Sequence, residues 1–436
     1  MLKWIALVVV VIAASVTSFF VFYHPPMRLM PAPLIFQEGG DRLFDLAPAL
    51  ADGSELEIFY ATNRLPVGPR DNRIYTVAPD RRLHVGSAEL RIGDEGSTLD
   101  QIREWTMSGD PGDRPYIHLR RMREAGTITD PKTELTPEVD AWLAEINAEL
   151  GRSRDRDILV YVHGANTTVE RAAGQASQLR HYLGRDSVVV LYAWPTAENF
   201  LRYSRDIETA FGAAPHLADL IDLLAEHTDA EHVNVFTYSA GATVGSDALA
   251  RLTEDHPAAL DRLGEVYHAA PDADFRSFVE DLRAYGPHAR RVTAAVNLGD
   301  SALRLSGAVN RASRAGRPDL RELSPEATDW LLAAAQDQGL EILQVRPDDM
   351  PGLAASSHTF WYDDPWVSND VLVKLTFHPQ PDERGLIDDT AASGARYWTF
   401  PPNYPARIRE LRDSFLRKLS AQMPGGGTGP APAAEA

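Results

Sequence analysis

From Glu55 onward the chain alternates short β-type runs with amphipathic helical runs, and that order dictates a mostly parallel sheet covered by helices on both faces. Eight strands are predicted: Glu57–Ala61, Leu83–Ile92, Ile158–Val162, Val188–Ala193, Val233–Thr237, Glu265–Ala269, Val292–Asn297 and Leu340–Val345. Helices are predicted at Thr136–Leu150, Val169–Leu183, Ile207–Glu226, Ala240–Thr253, Phe275–Ala284, Pro325–Gln338 and Pro405–Ala421. Leu217, Leu220, Ile221 and Leu224 recur at helical spacing and mark a face turned to the core. A length of 436 residues suits two or three domains, or one large α/β domain with insertions. The alternation favours the second reading, with the domain over 51–422 and an insertion near 93–135, where local signals are weak. The tail 423–436 is nearly all Gly, Pro and Ala, has nothing large to bury, and predicts disorder.

Charge and cysteine content narrow the chemistry. The balance of 43 basic against 62 acidic residues gives −19 with no basic block, which argues against a nucleic-acid partner. The absence of cysteine excludes disulfides, thiolate metal sites, iron–sulfur clusters and a thiol nucleophile.

Trp4–Tyr23 is a run of twenty residues without charge. As a helix it spans about 30 Å, the hydrocarbon thickness of a bilayer. A cleavable leader would have a shorter apolar core and small residues near its end. Phe19, Phe20, Phe22 and Tyr23 occupy that place instead, so 1–24 reads as an uncleaved anchor. Lys3 and the free amine favour an inside N-terminus, placing the body on the extracytoplasmic side of the cell membrane. His24-Pro25-Pro26 stops the helix, and 25–50 reads as linker and lead-in.

The segment Val233-Asn234-Val235-Phe236-Thr237-Tyr238-Ser239-Ala240-Gly241 runs from an apolar strand through a serine into a small-residue helix. This is the strand–turn–helix setting of a nucleophile elbow, with Thr237 standing where glycine is usual. The sharp turn lifts a hydroxyl above the sheet, and small neighbours let helix and strand approach closely. The competing reading is a serine that caps an ordinary helix. Upstream, the strand Ile158–Val162 ends in His163-Gly164-Ala165-Asn166. Backbone amides at such a strand end, with the amide following the nucleophile, can form an oxyanion hole; the donors would be Ala165 and Ala240. His163 is read as bracing that loop.

Phe59-Tyr60-Ala61-Thr62-Asn63-Arg64, Val162-His163-Gly164-Ala165-Asn166, Ala193-Trp194-Pro195-Thr196 and Tyr238-Ser239-Ala240-Gly241 together resemble a group of bacterial esterase/lipase-like α/β-hydrolases, most without an assigned substrate. The resemblance covers about Leu56 to Asp370. It departs at Ala193, where the family usually has serine, and at the elbow, where the family usually reads His-Ser-Met-Gly. It implies an α/β-hydrolase fold and the chain order serine, acid, histidine. Asp300, after the second strand beyond the elbow, is then the expected acid; Asp272, one strand earlier, is the alternative. Of the two histidines that follow Asp300, His358 lies in a loop after Leu340–Val345, where the family's histidine falls. His378 closes Val371–Phe377, which reads as an edge strand.

The expected activity is cleavage of a small-molecule or lipid acyl ester by Ser239, His358 and Asp300 through an acyl-enzyme. Trp194, Tyr238 and Trp361 are candidates for the substrate pocket; Phe360, Tyr362 and Trp366 cluster beside the base. Tyr203 and Asp206 share a helical face and are expected to brace the site. No metal or organic cofactor is called for, since no metal-binding, phosphate-loop or dinucleotide motif occurs. A non-catalytic envelope scaffold of the same fold, and a thioesterase or amidase using the same residues, are the competing functions.

Overall fold

β-branched and aromatic runs build the centre of the molecule. In the computed structural model, which describes residues 26–37, 53–107, 110–129, 135–153, 155–185, 187–337 and 339–422, they form one eleven-stranded sheet. The strands are β1 (Glu55–Val67), β2 (Ile74–Ile92), β3 (Ile117–Ile128), β4 (Ile158–Val162), β5 (Val188–Tyr192), β6 (Val233–Tyr238), β7 (Leu263–Ala269), β8 (Arg291–Val296), β9 (Leu340–Gln344), β10 (Ile387–Thr390) and β11 (Arg396–Thr399). The helices are α1 (Leu99–Met107), α2 (Pro137–Leu150), α3 (Val169–Tyr182), α4 (Tyr203–His227), α5 (Gly241–Asp255), α6 (Phe275–Tyr285), α7 (Ser301–Asn310), α8 (Pro325–Gln336), α9 (Phe360–Asp363), α10 (Pro365–Phe377) and α11 (Tyr404–Gln422).

The spatial order is β10-β11-β9-β8-β7-β6-β4-β5-β1-β2-β3. Pairing is parallel from β11 to β1; antiparallel β10 closes one side, and antiparallel β2 and β3 close the other. Side chains alternate between two apolar layers. Leu159 and Tyr161 enter one, and Ile158, Val160 and Val162 enter the other.

Four expectations need correction. The sheet has eleven strands, not eight, because three polar ones escape an apolar pattern. β3 carries Arg120, Arg121, Arg123 and Glu124, and β10 is exposed along its length. Charged edges of this kind discourage sheet-to-sheet pairing. The insertion near 93–135 contributes α1 and β3 to the body. Within the supposed lead-in, Met27, Leu29, Met30 and Ile35 are buried, and the Ile117 amide donates to Met27 O at 2.7 Å. Finally, Val371–Phe377 belongs to α10 and is not an edge strand. Asp364 Oδ1 accepts from the Trp366 and Val367 amides, Pro365 opens the helix, and most of its side chains are buried, so helical periodicity is hidden. The expected anchor Trp4–Tyr23 and the tail 423–436 lie outside the described residues, among which no helix is long and apolar enough to cross a membrane.

Candidate active site

The strand order reverses beside β4: β5 lies on one side of it and β6 on the other. The loops after β4 and β6 therefore flank a crevice at the carboxyl ends of the strands, where open α/β sheets bind ligands.

Ser239 occupies the turn between β6 and α5 with φ of 54°. That left-handed backbone costs a side-chain-bearing residue about 1–3 kcal/mol and persists only where the surroundings impose it. Here the Ser239 amide donates to Ala269 O at 3.0 Å, and its carbonyl accepts from the Asp272 and Ala242 amides at 3.0 and 2.9 Å. Helix and strand are in contact: a Cβ on Gly241 would lie 2.5 Å from Val162 O. Thr237 fits where glycine is usual because Gly245 faces it; a Cβ there would lie 2.5 Å from Thr237 Cγ2. The Thr237 hydroxyl is held against His268 Nδ1 at 2.7 Å.

The Ser239 hydroxyl donates to His358 Nε2 at 2.8 Å, and His358 Nδ1–H donates to Asp300 Oδ2 at 2.6 Å. Asp300 is fully buried and also caps α7, its Oδ1 accepting from the Ala302 and Leu303 amides at 2.8 and 3.0 Å. Asn297 fixes the histidine loop by donating to Ala355 O and Ser357 O. The three residues named from the sequence are thus brought together across 119 positions of chain. Asp272 has no histidine among its partners in the described residues. Its carboxylate accepts from Arg314 Nε (2.6 Å), Ser306 Oγ (2.6 Å) and Tyr203 Oη (2.5 Å).

The loop after β4 is held from behind. Asp206, buried on α4, accepts from the Asn166 amide at 2.9 Å and the Ala197 amide at 2.6 Å, the bracing expected of it. Burial raises its carboxyl above the usual range, against the pull of those amides. Tyr203 braces Asp272 and Ser306 instead. The amides of Ala165 and Ala240 have no hydrogen-bond partner among the described residues. His163 is buried, stacks on Trp194 at 5.5 Å, and donates from Nδ1 to Gly164 O at 2.8 Å. Burial, joined by the charge of Arg64, pushes its imidazole down to about 3, so it stays neutral at pH 7.

A cavity of about 430 Å³ opens above Ser239, lined by Ala165, Tyr203, Tyr238, Leu305, Val309 and His358 among others. Of the three expected pocket residues only Tyr238 lines it. Trp194 lies behind the loop, donating from Nε1 to His163 O at 2.7 Å. Trp361 is fully buried, packed edge-on against Phe236 and Tyr362. Arg64 went unassigned in the sequence, although it stands in one of the motifs. Fully buried, it donates to Trp194 O, Thr167 O, Thr196 Oγ1 and Glu198, tying the two loops beside the cavity together. Standing directly after the polar Thr62 and Asn63, it gave no sign in the sequence that it would be buried.

A hydroxyl, an imidazole and a carboxylate in this order can pass a proton from serine to histidine while the carboxylate steadies the cation. None of the curated proteins matches the chain. A lipase-esterase related protein from Clostridium acetobutylicum ATCC 824 is similar at 12% identity, over 60% of this chain and 94% of that chain, with a TM-score of 0.23. The family match covers a little under half of the chain, including Ser239 and Asp300 and stopping before His358. Residues 139–351 match the model of the family described as alpha/beta hydrolase of unknown function (DUF900).

Proposed function

We propose that this chain is a serine hydrolase that cleaves carboxylic esters. The observation that carries the reading is the unbroken hydrogen-bond chain from Asp300 through His358 to Ser239 at a cavity mouth. In this scheme Ser239 Oγ attacks the acyl carbonyl as His358 Nε2 takes its proton. The amides of Ala165 and Ala240 hold the oxyanion. The imidazolium then protonates the departing alcohol, and the ester bond breaks to leave an acyl-serine. Water, deprotonated by the same imidazole, releases the acid and restores the hydroxyl. A fluorophosphonate should label the protein once, with the adduct mapped by mass spectrometry to the peptide containing Ser239. An unlabelled protein that hydrolyses esters would sink the proposal.

Asp206→Asn tests the loop behind the oxyanion site. Asparagine has one acceptor oxygen, so one of the two amides that Asp206 holds loses its partner. Displacing a reacting group by about 1 Å costs about 10²-fold. The variant should lose about that factor in kcat with KM little changed; equal rates would show that the loop is held otherwise.

The same proposal places Trp4–Tyr23 in the cell membrane with the body on the extracytoplasmic side. Retention of the full chain in membranes after an alkaline carbonate wash is the expected result, and its release would rule the anchor out.

A further inference from the structure

The cavity mouth is rimmed by large apolar side chains standing in water. Leu201 is 72% exposed, Leu305 48% and Val309 54%, and all three line the cavity that leads to Ser239. Leu305 and Val309 are one turn apart on α7, on the same side as Ala302 and Ser306, which also line the cavity. Another side of that helix is basic. Arg304 and Arg311 line an adjoining hollow of about 610 Å³ together with Arg317. These three arginines are exposed and have no carboxylate partner among the described residues. Residues 301–322 hold five arginines against one aspartate and one glutamate, in a chain whose net charge is −19; Asp319 and Glu322 also line the hollow, but Asp319 is paired with Arg321 and Glu322 accepts from Ser313. Arg202 and Arg205, both exposed, follow Leu201 in sequence.

A helix with an exposed apolar side flanked by arginine is the pattern of an element that lies in a lipid interface. Anionic headgroups would meet the arginines while the leucines and valine entered the acyl region. We propose that this rim docks on an anionic lipid surface, seating Leu201, Leu305 and Val309 among the chains and Arg304, Arg311 and Arg317 against headgroup phosphates. The inference deepens the hydrolase reading and rests on it for its consequence, that the ester acyl chain passes from the lipid phase straight into the cavity beside Ser239. A lipid is favoured over an acidic protein because the apolar residues surround an entrance that continues inward, which a folded partner would stopper.

The absence of cysteine makes the test specific. Leu201→Cys in the full chain, labelled with a polarity-sensitive fluorophore, should brighten on addition of phosphatidylglycerol vesicles and not of phosphatidylcholine vesicles. Val309→Cys carries the same label as a second position. R304E/R311E in each labelled background should weaken the response by more than about 30-fold, since losing each basic residue near an anionic surface counts for about fivefold and each new carboxylate adds repulsion. Salt at about 0.5 M should suppress it. No response to phosphatidylglycerol, an equal response to both lipids, an unaltered response in R304E/R311E, or the same response to soluble polyglutamate would each overturn the proposal. The readout involves no turnover. A silent fluorophore beside a labelled Ser239 would therefore remove the docking surface alone, and a responsive fluorophore with an unreactive Ser239 would remove the hydrolase reading alone.

Discussion

Asp300→Asn should lower kcat for ester hydrolysis by about 10⁴-fold while the protein stays folded. The wild-type carboxylate divides its oxygens: Oδ2 accepts from His358 Nδ1–H at 2.6 Å, and Oδ1 accepts from two amides at the start of α7. Asparagine has one acceptor oxygen for these two tasks. If that oxygen keeps the helix cap, the amide NH2 faces Nδ1, and the imidazole must turn its lone pair there. Its proton then sits on Nε2, pointing at Ser239 Oγ, and no base remains for the hydroxyl. If the oxygen serves the histidine instead, the amide NH2 opposes two backbone donors and the cap is lost, at about 1 kcal/mol. Neither arrangement restores both contacts. Rates on a p-nitrophenyl ester, beside urea unfolding, separate chemistry from folding. Ser239→Ala sets the floor, at a loss of about 10⁶-fold. An Asp300→Asn protein retaining a tenth of the wild-type rate would return the acid's role to another residue, and Asp272 would not be a natural heir, since its carboxylate is taken by Arg314, Ser306 and Tyr203.

What could be read from the residues, and what could not, follows from how each force marks a sequence. The parallel strands β4, β5 and β6 are buried on both faces; β4 and β5 appear as unbroken apolar runs, and β6 as one interrupted only by Asn234 and Thr237. The elbow is legible because tight backbone approach admits few residue types, and Gly241 meets that demand against Val162 O. Chain order left His358 and His378, and the family resemblance chose His358, since a loop histidine leaves no pattern of its own. The edge strands β3 and β10 were missed because keeping an edge from aggregating needs the charges that hide a strand. Aromatic clustering misled: Trp361 near the base is a core side chain, and a hydrophobic ring reads the same in sequence whether it lines a cavity or fills one. Arg64 and Asp206 act through backbone atoms of loops distant in sequence, and such contacts leave no spacing to detect.

Lys374→Met should destabilise the fold by about 3–5 kcal/mol at pH 7. Lys374 lies in α10, fully buried, with its Nζ 2.8 Å from Glu341 and 3.0 Å from Glu265. Arg384 pairs with Glu341 at 2.9 Å and Asp370 at 2.7 Å, and Arg291 pairs with Glu265 at 2.5 Å. Three acids and three bases balance inside the protein, so removing one cation leaves a surplus carboxylate without solvent. Burial alone would raise the Glu341 carboxyl, but the charges of Arg384 and Lys374 outweigh it and hold it down to about 2, from an ordinary 4.5. A carboxyl depressed in the folded state contributes stability that is fully present above 4.5 and lost as pH falls toward 2. Glu265 is held down in the same direction, where burial is outweighed by His378, Lys374 and Arg291. Asp370, raised by burial despite Arg384, works the other way and is common to both proteins. Without Lys374 the Glu341 carboxyl rises and takes up its proton at higher pH, so acid relieves the variant while it strains the wild type. The gap between their urea midpoints should therefore be widest near pH 7 and narrow by pH 4. A gap of the same size at both values would mean that Lys374 contributes packing rather than charge. A variant as stable as wild type at pH 7 would mean that the cluster repacks around the loss. The cluster also joins β9 to α10, the two elements between which the chain carries His358, and it lies at the opposite end of the strands from Ser239.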